Sequence, residues 1–277
     1  MSEPLPPGLH IVATPIGNLG DLSPRAADTL RRADRILVED TRVTARLLQH
    51  IGAKVPMTRY DDHSSEGDRD SVVAQLGERA IALVSDAGTP LISDPGYKLV
   101  RAARAAGHVI HTLPGPSAAI AALTLAGLPT DRFLFLGFLP AKAKAREQAI
   151  GEIAGVRATL VFYESGPRLG DTLAALAREL GSRDAAVARE ISKVHEECVT
   201  GALPQLAERY GETAPKGEIV ILVGPPPEAS AASDEELDVA LEQALQKLSP
   251  SRAAAEVAQR LNVPRKRAYA RALELSK

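Results

Sequence analysis

The sequence predicts an α/β fold of two lobes followed by a small helical domain, and three observations predict it. Short apolar runs alternate with helical patterns through residues 9–126, which is typical of a largely parallel sheet covered by helices on both faces. Residues 133–223 hold a second series of strands with a less regular alternation, which indicates a second lobe around a mixed sheet. Beyond a stretch rich in Pro, Ala and Ser, three helical patterns follow.

In the first lobe, each predicted strand is a short apolar run that precedes a loop or a polar turn. Ser23 and Pro24 supply an N-cap and a first-turn proline for the first helix, and Gly127 ends the last helix. Residues 56–65 are polar and irregular, so no element is predicted there. The predicted strands are 9–13, 35–38, 80–84 and 108–112, and the predicted helices are 24–33, 41–52, 66–79, 96–106 and 118–126.

The second half of the chain has a different character. Its patterns predict strands over 133–138, 159–163, 185–188, 194–199 and 218–223, with one helix between the first two strands and another over 167–180. The final helices are predicted over 234–248, 251–261 and 264–275. We therefore expect an N-terminal lobe at 1–115, a second lobe at 116–224, a linker at 225–233 and a helical domain at 234–277.

The composition excludes several classes of protein. Hydrophobic residues make up 45% and charged residues 25% of the chain, which is typical of a folded protein rather than a disordered one. A single cysteine, Cys198, excludes an internal disulfide and a multi-cysteine zinc site, and the histidines show no metal-ligand spacing, so no metal site is predicted. The N-terminus lacks a signal-peptide pattern and no apolar run reaches ~20 residues, so we expect a cytoplasmic protein without a membrane span.

Four loops near the ends of predicted strands are rich in Gly, Pro and charged residues. None carries the glycine fingerprint of dinucleotide sites or the Gly-Lys-Ser/Thr of a phosphate-binding loop, which argues against NAD and ATP as ligands. Because ligands bind at the carboxyl edge of such sheets, these loops are candidates for a ligand site. A structural interpretation stays open for each: a tight turn in the first, a helix cap at Asp94 or Ser117, and a solvated sheet edge in the last. The loops cover residues 14–21, 86–96, 114–117 and 189–197.

Together, the loops resemble motifs of the tetrapyrrole methylase superfamily. More closely, they resemble its ribosomal RNA branch, which methylates a cytidine 2′-hydroxyl of the small subunit. Porphyrin-precursor members carry a Gly-rich first loop and a Gly-Asp-Pro, whereas this chain has TPIG at 14–17 and DAGTP at 86–90, which favours RNA as the substrate. The resemblance covers roughly residues 9–223, and the C-terminal helices also match that branch. The matching motifs are VATPIGNLGD at 12–21, EDTR at 39–42, SDAGTPLISDPG at 85–96, LPGPSA at 113–118 and KGEIV at 216–220.

This resemblance implies that S-adenosylmethionine binds in the cleft between the two lobes. The cofactor has a sulfonium, an amino-acid end and an adenosine but no phosphate, which fits loops that lack a phosphate cradle. The cofactor contacts that the resemblance implies are Pro15, Asp86, Gly88, Thr89, Pro90, Ser117, Ala118, Phe162, Tyr163, Ala188, Gly217, Glu218 and Ile219.

Methyl transfer to a ribose hydroxyl is helped by a general base or by a cation that stabilises the developing alkoxide. The sequence leaves this role open among four candidates. These candidates are Asp40, Asp94, Glu190 and Lys193, and Arg42 and Arg189 are candidate clamps for RNA phosphate or substrate.

The formal net charge of -2 contrasts with an RNA substrate, but the C-terminal segment is basic. Residues 245–277 include eight basic and two acidic residues. Arg265, Lys266 and Arg267 open the last predicted helix of a helix-turn-helix pattern, which predicts contact with backbone phosphates. A dimerising or merely solvated helical cap is the alternative interpretation of this segment.

We therefore expect an S-adenosylmethionine-dependent 2′-O-methyltransferase of small-subunit ribosomal RNA. The expected partner is that RNA or a partly assembled small subunit, and the resemblance also implies a homodimer. Two other functions stay open: methylation of a corrinoid or porphyrin precursor, and RNA binding without catalysis on the same fold.

Overall fold

The structure is a computed structural model that describes residues 4–61, 63–212, 214–227, 233–261 and 263–276. The chain divides into two units, Met1–Pro225 and Pro226–Lys277. The first unit contains two sheets with helices packed against them, and the second contains helices in its described part. The predicted α/β class with a C-terminal helical region is confirmed.

The first sheet has five parallel strands in the order β3-β2-β4-β1-β5. The interior strand β1 is buried along its whole length, which is typical of a parallel strand covered on both faces. Helices α1 and α2 cover one face of the sheet, and α3 and α4 cover the other. The strands are β1 Gly8–Val12, β2 Arg35–Val38, β3 Met57–Arg59, β4 Ala80–Leu83 and β5 Ile110–Leu113. The helices are α1 Pro24–Arg32, α2 Thr41–His50, α3 Glu66–Gln75 and α4 Tyr97–Ala105.

Strand β3 lies where the sequence predicts no element, so that prediction is wrong. Its three residues are half-buried or exposed and lack an apolar run. They form a strand because they pair with β2, with Ile36 opposite Met57. A short edge strand of this kind owes its conformation to its neighbour rather than to its own sequence.

The second sheet has five strands in the order β6-β7-β10-β8-β9, and only β6 and β7 pair in parallel. Helix α5 packs against one face, and α6, α7 and α8 cover the other. The strands are β6 Phe133–Phe138, β7 Thr159–Ser165, β8 Asp184–Arg189, β9 Glu197–Ala202 and β10 Glu218–Val223. The helices are α5 Ala118–Ala126, α6 Ala143–Ile153, α7 Leu169–Leu180 and α8 Leu203–Gly211.

Two elements of this lobe differ from the prediction. The strand predicted over 194–199 begins later, at Glu197, because residues 190–196 form a compact turn. Helix α8 was not predicted, although Pro204 stands in its first turn and Leu203, Leu206 and Tyr210 form its buried stripe.

Three helices lie in the described part of the C-terminal unit, around a core of Leu237, Leu241, Val257 and several alanines. Ser233 caps the first of them in a reciprocal arrangement with Glu236. The helices are α9 Asp234–Leu245, α10 Pro250–Arg260 and α11 Arg265–Leu275. Part of the predicted linker, residues 228–232, and Asn262 of the predicted turn lie outside the described residues.

Across the ranges that the structure describes, no helix is long and apolar enough to cross a membrane. The first three residues, on which the signal-peptide prediction partly rests, lie outside those ranges.

Candidate active site

A cavity of about 330 Å³ lies where the loops after β1, β4 and β5 meet the second sheet; we call it the first cavity. Its volume falls within the range of small-molecule sites. The apolar part of its wall includes Ile16, Ile191, Ile219 and Val220, and the carboxyl end of β7 adds Tyr163. The other lining residues are Ala87, Gly88, Thr89, Ile92, Ser93, Asp94, Ser117, Ala118, Phe138, Glu164, Ser165, Gly217 and Glu218.

The three loops of the first lobe are tied together by hydrogen bonds. The backbone N–H of Thr14 donates to the carbonyl of Gly88 at 2.9 Å, and the N–H of Gly88 donates back to Thr14 at 3.1 Å. The hydroxyl of Thr89 donates to the carbonyl of Pro116 at 2.9 Å. The loops therefore form one continuous cavity wall.

The loop after β4 is strained at two residues, of which Ser93 lines the first cavity. Leu91 and Ser93 have positive φ angles of 74° and 64°, which non-glycine residues rarely adopt. Such strain persists where the surrounding structure enforces it and is often found at binding sites. The N-cap position of α4 is Gly96 rather than Asp94, and Asp94 lines the first cavity.

The turn after β8 connects the two lobes. Lys193 donates to the carboxylates of Glu190 at 2.9 Å and Glu218 at 3.1 Å, and its aliphatic chain packs so closely on Gly17 that a Cβ there would lie 2.4 Å from Lys193 Cγ. The hydroxyl of Ser192 donates to Asp21 in the first loop. The hydrogen bond from Lys193 and the backbone N–H of Glu218 lower the pKa of Glu190.

A second cavity of about 350 Å³ adjoins the first, and we call it the second cavity. Ile16, Ala87 and Glu218 line both cavities, so they form the boundary between them. The charged side chains around the second cavity include Arg46 from α2, Asp86 from the loop after β4, and Lys193. The remaining lining residues are Thr14, Pro15, Gly17, Leu19, Val43, Thr44, Leu47 and Ser85.

The sequence matches the family described as Tetrapyrrole (Corrin/Porphyrin) Methylases over residues 8–207. The chain belongs to the tetrapyrrole methylase family. Members of this family use S-adenosylmethionine as the methyl donor. Residues 231–276 also match a family described as the RsmI C-terminal HTH domain, so this tetrapyrrole methylase carries a helical extension found in that branch.

Two curated relatives of this tetrapyrrole methylase are both called Ribosomal RNA small subunit methyltransferase I. The protein from Erythrobacter litoralis is 56% identical over 99% of this chain and 97% of its own length. The protein from Mesorhizobium japonicum is 45% identical over 99% of this chain and 94% of its own length. The solved structure of uroporphyrin-III-C-methyltransferase from Thermus thermophilus covers 78% of this chain and 94% of that chain, with a TM-score of 0.56 at 21% identity, and supports the fold.

The first cavity of this methylase has a lining that suits S-adenosylmethionine. Its apolar wall can hold an adenine ring, and the carboxylates of Asp94 and Glu218 can attract the cationic sulfonium and amino groups. Among the described residues, no cluster of three or more His, Cys, Asp or Glu side chains could hold a metal ion.

The structure brings most of the predicted cofactor residues to these two cavities. Pro15 and Asp86 line the second cavity rather than the first, and Glu218 lines both. Pro90, Phe162 and Ala188 line neither cavity. Those that line the first cavity are Gly88, Thr89, Ser117, Ala118, Tyr163, Gly217, Glu218 and Ile219.

Strand alternation explains why Phe162 is not a cavity residue. Successive side chains of a strand point to opposite faces, so Phe162 packs into the core under α7 while Tyr163 faces the cavity. Ser117 occupies the N-cap position of α5 but makes no cap bond, and it lines the first cavity together with Tyr163.

The four candidates for the catalytic role are separated in space. Asp94 lines the first cavity, Lys193 lines the second, and Asp40 and Glu190 line neither. Asp40 caps α2 and accepts two hydrogen bonds from Nε and Nη2 of Arg42. These bonds hold the pKa of Asp40 at about 2, so its carboxylate is a weak base.

Some of the side chains predicted to contact RNA are ion-paired within the protein, and others are not. Arg42 pairs with Asp40, Arg189 pairs with Glu197 at 2.9 Å, and Arg267 pairs with Asp234 at 2.8 Å. Arg265 and Lys266 are exposed and make no hydrogen bond or ion pair with the described residues. The prediction for Arg267 overlooked the acidic first turn of α9, which lies against α11 in the folded unit.

Several cavity residues were missed because they are apolar and lie far apart in sequence. Ile16, Ile92 and Phe138 are typical of core positions, yet Ile92 and Phe138 are exposed at this site. Arg46 was also missed, although it stands one helical turn after Arg42 on the same helix. That spacing from the EDTR motif is the signal that could have found it.

Proposed function

We propose that this chain methylates a cytidine 2′-hydroxyl of small-subunit ribosomal RNA with S-adenosylmethionine as donor. The observation that carries the proposal is the 56% identity with a Ribosomal RNA small subunit methyltransferase I over 99% of this chain. The match covers 99% of this chain, and residues 231–276 match the RsmI C-terminal HTH domain as well.

The residues of the first cavity would hold the donor through complementary chemistry. Ile191, Ile219 and Val220 offer an apolar surface to the adenine, and Asp94 offers a carboxylate to the amino group. The bound donor supplies an electrophilic methyl group on a good leaving group, so correct positioning accounts for much of the acceleration. The tied loops of the first lobe would fix that position.

The binding partner, the location and the role of each domain follow from this function. We infer that the partner is small-subunit ribosomal RNA or a partly assembled small subunit in the cytoplasm, and that the chain acts as a homodimer. Residues 1–115 and 116–224 form the lobes around the donor, 225–233 links them to the helical domain, and 234–277 contacts RNA. The exposed and unpaired side chains of Arg265 and Lys266 support the last assignment.

The two alternative functions are not favoured. The curated relatives that match the full length bear a ribosomal RNA name, whereas the porphyrin methylase shares 21% identity and the fold alone. The match of residues 8–207 to a family of methylases favours an enzyme over a binding protein without catalysis.

Mass mapping of small-subunit ribosomal RNA tests the function. Cells that lack the gene are expected to lose one 2′-O-methyl cytidine, and the purified protein should restore it on their subunits with S-adenosylmethionine. An unchanged methylation map would contradict the RNA assignment. Calorimetry with S-adenosylmethionine separates a wrong substrate, in which binding persists, from a non-catalytic protein, in which the donor need not bind.

Substitutions that remove positive charge from α11 test the role of the helical domain. Residues 234–277 hold seven acidic as well as eight basic residues, so RNA contact must depend on a few unpaired cations rather than on net charge. Arg265→Gln with Lys266→Gln should lower the slope of log affinity for small subunits against log salt by about 1.5, which corresponds to two lost phosphate contacts. The matched control is Arg101→Gln with Arg104→Gln on α4. Equal slopes for both double variants would mean that α11 does not touch RNA.

A further inference from the structure

We propose that the second cavity binds the target nucleotide, with Asp86 as the general base for its 2′-hydroxyl and Arg46 as a contact to its phosphate. This inference rests on the proposed function and names the substrate site and a catalytic residue for it. In this proposal Asp86 contacts the nucleotide rather than the cofactor, which is the contact that the sequence resemblance implies for it.

The position of the second cavity is the first argument. Ala87 lies in the boundary between the two cavities and follows Asp86 directly in the chain. A nucleotide in the second cavity would therefore lie beside a donor in the first, where the two cavities meet at Ile16, Ala87 and Glu218. Transfer between two bound reactants requires this kind of adjacency.

The second argument is how the carboxylate of Asp86 is held. Its Oδ1 accepts the backbone N–H of Asp40 at 3.0 Å, which fixes the group at the start of α2. Its Oδ2 makes no hydrogen bond with the part of the chain that the structure describes, so one oxygen remains available for a substrate hydroxyl. Asp86 is half-buried, and it combines a fixed orientation with a vacant acceptor.

The charges around Asp86 favour its basicity. Burial raises the pKa of Asp86, and the negative charge of Asp40 raises it further, although the N–H of Asp40 and the cation of Arg42 oppose the shift. Arg46, Lys193 and Glu218 are the other charged groups that line the cavity. Among carboxylates with shifted pKa values at this site, those of Asp40 and Glu190 are lowered, which makes both weaker bases than Asp86.

The remaining carboxylates near the cavities are less suited to the role. Glu218 is ion-paired with Lys193 at 3.1 Å, and Asp94 lines the first cavity, where the donor would lie between it and a nucleotide. Asp86 is therefore the carboxylate that lines the second cavity without an ion-pair partner among the described residues.

Arg46 is the residue of the second cavity that suits the phosphate of the nucleotide. Its side chain lines the second cavity from α2, is exposed, and makes no hydrogen bond or ion pair within the described ranges. Arg42, one turn earlier, is held by Asp40. A free guanidinium at the wall of a cavity suits a phosphate, which it can bind through two parallel N–H donors.

The proposed step conserves atoms and charge. The proton of the 2′-hydroxyl passes to Oδ2 of Asp86, and the oxygen lone pair forms the new bond to the methyl carbon. The bond between carbon and sulfur breaks, its electron pair stays on sulfur, and the products are a 2′-O-methyl ribose and neutral S-adenosylhomocysteine. Asp86 then releases its proton to water.

Asp86→Asn tests the base, because asparagine keeps the acceptor for the N–H of Asp40 but cannot take a proton. With small subunits from cells that lack the gene, the single-turnover rate should fall by about 10²–10⁴. Affinities for S-adenosylmethionine and for subunits should stay within twofold of the wild type. Asp70→Asn, an exposed carboxylate of α3 outside both cavities, is the matched control and should leave all three quantities unchanged.

The pH profile provides an independent readout. The wild-type rate should fall as pH drops through the pKa of Asp86, which lies above the ordinary aspartate value of 3.8 because of burial, and the profile of Asp86→Asn should lose this acidic limb. A rate within threefold of the wild type, or an unchanged limb, would overturn the role. So would a loss of donor affinity that matches the loss of rate, since Asp86 would then hold the donor.

Arg46→Ala tests the phosphate contact. The affinity of this variant for subunits should fall about tenfold, while its donor affinity stays unchanged. The slope of log subunit affinity against log salt should decrease by the equivalent of about one phosphate contact. Arg46→Lys should restore part of the affinity, and Arg101→Ala on α4 should change nothing. Unchanged subunit affinity in Arg46→Ala would refute the nucleotide site. Failure of the proposed function is distinguishable, because the wild type would then bind donor but methylate no subunit.

Discussion

Gly88→Val is expected to weaken S-adenosylmethionine binding by about 10- to 100-fold. Gly88 has a φ of 82°, and a Cβ at this position would lie 3.3 Å from Ile16 Cγ2 and 3.6 Å from the carbonyl of Pro116. A branched side chain must push apart the loops that form the wall of the first cavity. Overpacking of this kind costs about 1–3 kcal/mol, and every 1.4 kcal/mol of lost binding is tenfold in affinity.

Gly52→Val is the matched control for this change. Gly52 has a similar backbone conformation, with a φ of 65°, but a Cβ there would meet nothing within 4 Å. It should lower the free energy of unfolding by about 1–3 kcal/mol through backbone strain and leave donor affinity unchanged. Calorimetry for binding and chemical denaturation for stability measure the two effects. If both variants lost donor affinity equally, the wall of the first cavity would not be the donor site.

Gly166→Ala is expected to lower the free energy of unfolding by about 3 kcal/mol and the Tm by roughly 6–12 °C. A Cβ at Gly166 would lie 1.7 Å from the carbonyl oxygen of Pro215. This atom belongs to the backbone, so the segment that leads into β10 must move. Gly217 lies two residues after Pro215 and lines the first cavity, so donor affinity should fall as well.

Gly151→Ala provides the comparison for Gly166→Ala. Gly151 lies inside α6, and an added Cβ would meet nothing within 4 Å. Alanine is a better helix former than glycine, so stability should stay constant or rise by up to about 1 kcal/mol. A loss of stability at Gly151 as large as that at Gly166 would contradict the steric explanation.

The elements that could be predicted from sequence are those whose residues carry their own signal. The buried strands β1, β2 and β4 are continuous apolar runs, and α1 begins with a serine cap and a proline. Strand β3 could not be predicted, because its residues become a strand only through pairing with β2. The start of β9 was misplaced for a similar reason, since the turn at 190–196 is held by contacts from Lys193 and Ser192 to other elements.

The sequence by itself determined the family, the fold class and the loops that carry the site, because ordered motifs of glycine, proline and aspartate lie along the chain and can be read locally. Only the tertiary structure decided which side chains of those loops share a cavity, that Phe162 turns into the core, and that Arg267 is neutralised by Asp234. The physical reason is that burial, pairing of charges and basicity depend on neighbours in space. Asp40 and Asp86 are both loop carboxylates in the sequence, but the fold lowers the pKa of Asp40 and raises that of Asp86.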